Sequence, residues 1–310
     1  MSHRRTAARA ALMAAAVMAL APAAAHAGTA VVTKETRAST QVLDLSLRSP
    51  STEQNRDYSV RVLVPSGWSK TSANRWPVLY LLHGGTDDWR SWGDKTTVKA
   101  LAAQYQVMVV MPDTSWCSAY SDWWNYGAYG RPAWETYVAS EIPALLESAY
   151  RANTNRAVAG NSMGGLGAMK FAANQGAKYK AAASFSGDVD PLHQYAGGTG
   201  VSTPGLACFA DWKRVWGDPA GGQLNIWQRN DPWNQAEGLR GKYLYLSSGQ
   251  ADMVEQQVDR ETRGLEARLG LLGIPYVSNH ANGGHNWTAW NARLVEVWPA
   301  LMQAIGAVKN

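Results

Sequence analysis

The stretch Val158–Phe171, VAGNSMGGLGAMKF, places a serine between glycines, after a short apolar run and before an apolar, Gly/Ala-rich one. Gly160-Asn161-Ser162-Met163-Gly164 fits the pattern G-x-S-x-G. That pattern carries mechanical meaning when a strand enters it and a helix leaves it. RAVAG (Arg156–Gly160) supplies the strand and GGLGAMKFAAN (Gly164–Asn174) the helix. A turn that tight brings the residues two before and two after the serine together, so glycine is needed at both. It presents the hydroxyl of Ser162 to a cleft beside a helix N-terminus.

Working outward, short and nearly continuously apolar runs flank this turn: WPVLYLLHG from Trp76, YQVMVVMPD from Tyr105, KAAASFSG from Lys180 and KYLYLSSG from Lys242. Such runs suit parallel strands covered on both faces, and PYVSNH from Pro275 is expected as the last strand. Upstream, Gln41–Ser49 and Asp57–Pro65 alternate apolar and polar, as half-buried antiparallel strands do. Helical periodicity lies between the runs, at Ala133–Tyr150, after Ser162, and from Val254, where Val254, Val258, Leu265, Leu269 and Leu272 share a stripe. The expected architecture is a doubly wound α/β fold with a mostly parallel central sheet and an antiparallel N-terminal edge. Residues 188–240, richer in Gly, Pro and Trp, read as an irregular insertion over the carboxyl edge of the sheet.

The first 27 residues read as a signal peptide. Arg4, Arg5 and Arg9 precede an apolar stretch too short to span a bilayer comfortably, and Ala25-His26-Ala27 offers a cleavage site. Removing it lowers the formal charge from +5 to +2, which leaves no case for a nucleic-acid partner. The remainder, 28–310, is expected as one exported domain without a membrane span; nothing in it bears on oligomeric state. Two cysteines, Cys117 and Cys208, would meet an oxidising environment, where a disulfide and two buried thiols are both open. Most of the fifteen tryptophans are expected in packing, including those of SDWWNYGAYG (Ser121–Gly130). Asp87-Asp88 reads as cap and surface rather than as a metal site.

A serine nucleophile needs a base. NGGHNWTAW (Asn282–Trp290) follows the last strand, where this architecture returns a histidine loop over the serine, so His285 is the expected base. His280 sits in the strand, His193 in the insertion, and His83 in a glycine loop as a structural or hydrogen-bonding residue. The orienting acid should follow YLYLSSG, where Asp252 and Glu255 are both available. Asp252-x-x-Glu255 also reads as a capping box that commits Asp252 to backbone N–H groups. The pattern alone leaves the two even. Two backbone donors are expected to form an oxyanion hole, one from Met163 and one from Gly85 or a neighbour in its loop.

Six segments resemble, in order, the antigen 85 mycolyltransferase and esterase D-like family of α/β-hydrolases: LLHGGTDDWRSW, VVMPDTSWCSAYSDWW, WETYVASEIPALLE, AVAGNSMGGLGAMKFA, VWGDP…RNDPW and NGGHNWTAW. The resemblance implies a serine esterase or acyltransferase working through an acyl-enzyme, without metal or cofactor, on a small-molecule, lipid or sugar acyl ester. It favours Glu255 as the acid, through the E-x-x-V match Glu255–Val258, with Asp252 in reserve. The mycolyltransferases have DGLR where this chain has His83-Gly84-Gly85-Thr86, which favours a plain esterase over trehalose or lipid O-acyl transfer. A non-catalytic surface-binding protein on the same fold is the alternative of a different class.

Overall fold

A computed structural model describes residues 29–53, 56–124, 132–194 and 212–310. The segment expected as a signal peptide lies outside these residues, as do 195–211 of the insertion and Cys208. Nine strands form one sheet in the order β1-β2-β3-β5-β4-β6-β7-β8-β9. The strands are β1 Val31–Ser39, β2 Val42–Arg48, β3 Tyr58–Leu63, β4 Trp76–Leu82, β5 Met108–Pro112, β6 Ala152–Asn161, β7 Ala181–Phe185, β8 Tyr243–Ser247 and β9 Val277–Asn279. Pairs β1–β2, β2–β3 and β3–β5 are antiparallel, and every pair from β5 through β4 to β9 is parallel.

The apolar runs became central strands because both faces are covered: every residue of β4, β5 and β7 is buried. On one face lies the Met163–Asn174 helix, buried along all but its last residue. On the other lies the Trp287–Ala304 helix, through Trp290, Leu294, Val297 and Trp298. Strand β1 was absent from the sequence reading. VVTKETRAS has no two-residue alternation because, as an edge strand, it is exposed along nearly its whole length, and hydrogen bonds to β2 rather than burial define it.

Two buried polar groups shape the carboxyl edge of the sheet. Lys170, on the Met163–Asn174 helix, is wholly buried, and its Nζ donates to the carbonyls of Ala119 and Tyr120, to Ser121 Oγ and to Asn230 Oδ1. The segment it grips contains three non-glycine residues of positive φ: Cys117 at 55°, Ala119 at 51° and Tyr120 at 48°. Such backbone costs of order 1–3 kcal/mol per residue and persists where the surroundings over-determine it. Cys117 is disulfide-bonded, and Cys208 is the only other cysteine in the sequence.

The second group is a carboxyl cluster in which Asp188 and Asp231 of the insertion join Glu261. Burial pushes Asp188 and Asp231 up to about 7, and Glu261, beside Asp188, is raised well above the usual range by burial and by that neighbouring charge. An acid raised in the folded state contributes stability that is complete below about pH 4 and is lost as pH rises through its folded value. Burial lowers the pKa of His83 and that of Lys170, to about 8, and both act in the opposite sense as pH falls, but they are two groups against several. The melting temperature by circular dichroism should therefore be lower at pH 8 than at pH 5, and Asp188→Asn should narrow the gap. Equal melting at both values would mean that these carboxyls ionise freely in the folded protein.

Candidate active site

Strand β6 ends at Asn161 and the next helix begins at Met163, which leaves Ser162 alone in the turn with φ 52° and ψ −123°. The glycines make this geometry possible. A Cβ on Gly160 would lie 2.4 Å from the carbonyl of Gly164, and one on Gly164 would lie 2.2 Å from the Leu82 oxygen. The Ser162 N–H donates to the Phe185 carbonyl at 2.9 Å, which ties the turn to β7.

The structure brings Ser162, His285 and Glu255 into one chain of contacts. Ser162 Oγ lies 3.0 Å from His285 Nε2, and His285 Nδ1 lies 2.7 Å from Glu255 Oε1. Glu255 is fully buried, and its second oxygen accepts the Gly249 N–H. Since a carboxylate only accepts, Nδ1 carries the ring proton and Nε2 is left to accept from the serine hydroxyl. Trp290 packs edge-to-face on the imidazole at 5.0 Å and donates its Nε1–H to Ser186 Oγ.

Asp252 does not touch the imidazole. Its Oδ1 accepts the Glu255 N–H and its Oδ2 the His285 N–H, both at 2.8 Å. It is thus the N-cap of the Met253–Leu271 helix and also holds the backbone of His285. Burial pushes its pKa up, but these N–H groups outweigh that and leave it below the ordinary aspartate value. The other histidines among the described residues are engaged elsewhere: His280 between Asp259 and Glu266, His193 with Asp190, and His83 within its own loop.

The Gly85 and Met163 N–H groups donate no hydrogen bond among the described residues, and both residues line a cavity of about 340 Å3 that holds Ser162 and His285. Four residues that the sequence did not mark for function share its wall: Asp87, Lys95, Trp287 and Trp290. Lys95 Nζ pairs with Asp87 at 2.8 Å and lies 5.0 Å from the Trp287 ring centre. A signal for the tryptophans was present in HNWTAW, which follows the histidine directly; Lys95 sits in no motif. No cluster able to hold a metal ion occurs among the described residues.

A serine on a strained turn under a histidine loop, at the carboxyl edge of a mostly parallel sheet, defines an α/β-hydrolase. The family described as "Putative esterase" matches residues 51–301, and the chain belongs to that family. It is 31% identical over 292 residues to the diacylglycerol acyltransferase/mycolyltransferase Ag85B of Mycobacterium intracellulare, covering 84% of this chain and 83% of that one. It is 32% identical over 243 residues to Esterase Rv1288 of Mycobacterium tuberculosis, covering 73% of this chain and 52% of the relative. An S-formylglutathione hydrolase from Agrobacterium tumefaciens shares the fold, with a TM-score of 0.71 at 20% identity over 88% of this chain and 99% of that one. The protein is an enzyme of ester hydrolysis or acyl transfer.

The geometry separates the two acids by their expected effects. Glu255→Gln should lower kcat by about 10^3–10^4, the scale of losing the group that sets the base's tautomer. Asp252→Asn should cost far less in kcat: Asn caps a helix about as well as Asp, but its amide NH2 cannot accept the second N–H, so a stability loss of about 1 kcal/mol is expected. A larger kcat loss at Asp252 at matched stability would reverse the assignment.

Proposed function

We propose that the protein is an exported serine esterase that cleaves short acyl esters through an acyl-enzyme on Ser162, with His285 as base and Glu255 as the orienting acid. The single observation that carries this is the contact chain from Ser162 Oγ to His285 Nε2 at 3.0 Å and from Nδ1 to Glu255 at 2.7 Å. His285 takes the hydroxyl proton as Oγ attacks the ester carbonyl, and Glu255 stabilises the imidazolium that forms. The Gly85 and Met163 N–H groups receive the developing oxyanion. His285 then protonates the leaving alcohol, and water, activated by the same imidazole, releases the acid.

The cavity supports the substrate size. At about 340 Å3 it lies at the lower end of the volumes typical of small-molecule sites. A mycolyl chain would lie mostly outside it. Acyl transfer to an added alcohol is the second reading, favoured by the mycolyltransferase relatives. A purely binding role would need no activated serine, and Ser162 here keeps both partners. Export rests on the N-terminal sequence, together with the finding that no described helix is long and apolar enough to cross a membrane.

A fluorophosphonate probe should label the wild type at one site, and Ser162→Ala should abolish labelling and lower kcat by about 10^6. Absence of labelling in folded wild-type protein would favour the binding role. Across p-nitrophenyl acetate to p-nitrophenyl palmitate, kcat/KM should fall beyond medium chain lengths. Product partition with added glycerol or trehalose measures transfer against hydrolysis: ester formation at millimolar acceptor would make the protein a transferase.

A further inference from the structure

The loop that offers the Gly85 N–H is held by its carbonyls, one after another. The Leu82 oxygen accepts from Trp92 Nε1 at 2.9 Å, and the His83 oxygen from the Tyr120 hydroxyl at 3.1 Å. The Gly84 oxygen contacts His83 Nδ1 at 2.7 Å and accepts the Asp87 N–H at 3.2 Å, and the Gly85 oxygen accepts the Cys117 N–H at 3.0 Å. Among these, the Gly84 contact bears directly on chemistry. The Gly84 carbonyl and the Gly85 N–H belong to one planar trans peptide and point in opposite directions. Whatever fixes the carbonyl also aims the N–H.

Two neighbours fix the proton on the His83 ring. The Thr114 backbone N–H, which can only donate, reaches Nε2 at 3.3 Å, so Nε2 accepts. The Gly84 oxygen, which can only accept, requires a proton on Nδ1. The Asp113 carboxylate is 3.8 Å from Nε2, outside hydrogen-bond range. His83 is 1% exposed, and burial depresses its pKa, so the ring is the neutral Nδ1–H form. The imidazole lies behind the peptide and does not line the cavity.

We propose that His83 is a positioning residue of the oxyanion hole: its Nδ1–H holds the Gly84–Gly85 peptide so that the Gly85 N–H faces the ester carbonyl. The assignment rests on the Ser162 acyl-enzyme reading and adds to it a residue that never meets substrate. Its contribution belongs to the tetrahedral state, where negative charge sits on the oxygen, rather than to ground-state binding.

The test compares His83→Leu, His83→Asn and His83→Gln with p-nitrophenyl acetate as substrate and phenylboronic acid as a tetrahedral analogue. His83→Leu should lower kcat by about 10- to 100-fold, below the 10^2–10^3 of deleting an oxyanion donor outright, with KM nearly unchanged. Boronate affinity should weaken by a similar factor. The Asn amide nitrogen falls near the position of Nδ1, so His83→Asn should recover most of both. His83→Gln, whose amide falls nearer Nε2, should not. Folded His83→Leu with kcat and boronate affinity within threefold of wild type would overturn the proposal. So would His83→Asn behaving like His83→Gln; that pair also decides the matter if His83→Leu does not fold. Wild type that neither turns over ester nor labels at Ser162 would remove the acyl-enzyme reading itself, and this proposal with it.

Discussion

The site depends on a backbone contact with no room in it. Gly164 lies against the end of β4 so closely that a single methyl group would overlap the Leu82 oxygen, and Gly160 lies as tightly against Gly164. Because β4 and the Met163–Asn174 helix meet at that distance, Ser162 is forced into a positive φ and its side chain is carried out of the sheet. The same contact sets where the next residues of both segments go: Met163 on one side, and His83 to Gly85 on the other. Ser162 and the two N–H groups proposed to receive the oxyanion are therefore placed by one packing event.

The histidine side of the site is arranged by a different device. One carboxylate, that of Asp252, accepts two backbone N–H groups, one at the start of the helix that carries Glu255 and one at His285 itself. Glu255 and His285 reach each other across 30 positions of sequence because a third residue fixes both main chains. This explains how a carboxylate on a helix and an imidazole on a loop reach hydrogen-bond distance without the loop being long or buried.

Much of this was legible in the sequence. The continuously apolar strands announced a covered parallel sheet, and the spacing of glycines around Ser162 announced the turn, because both patterns follow from close packing. The histidine loop was legible from its place after the last strand. Strand β1 was not, since an exposed edge strand carries no burial pattern. Asp252 and Glu255 could not be ranked by local pattern because a capping box contains both residues whichever of them meets the imidazole. The ranking requires knowing where residue 285 lies, a contact across 30 positions of chain. Asp87 reads as a cap or surface residue and Lys95 falls in no motif for a related reason: a short helix brings Lys95 to the cavity without any periodicity that marks it.

The cavity has two unlike halves. Behind Met163 and Gly85, the ammonium of Lys170 grips a left-handed segment whose Cys117 and Tyr120 in turn anchor the His83–Gly85 loop, so a change at one point is felt at several. Opposite stand Trp287 and the half-exposed Lys95 with its partner Asp87, bordered by a second cavity of about 330 Å3. Diversification of such a scaffold would proceed unevenly: the reactive half resists drift, while the other can be rewritten for new esters without disturbing the machinery that cuts them.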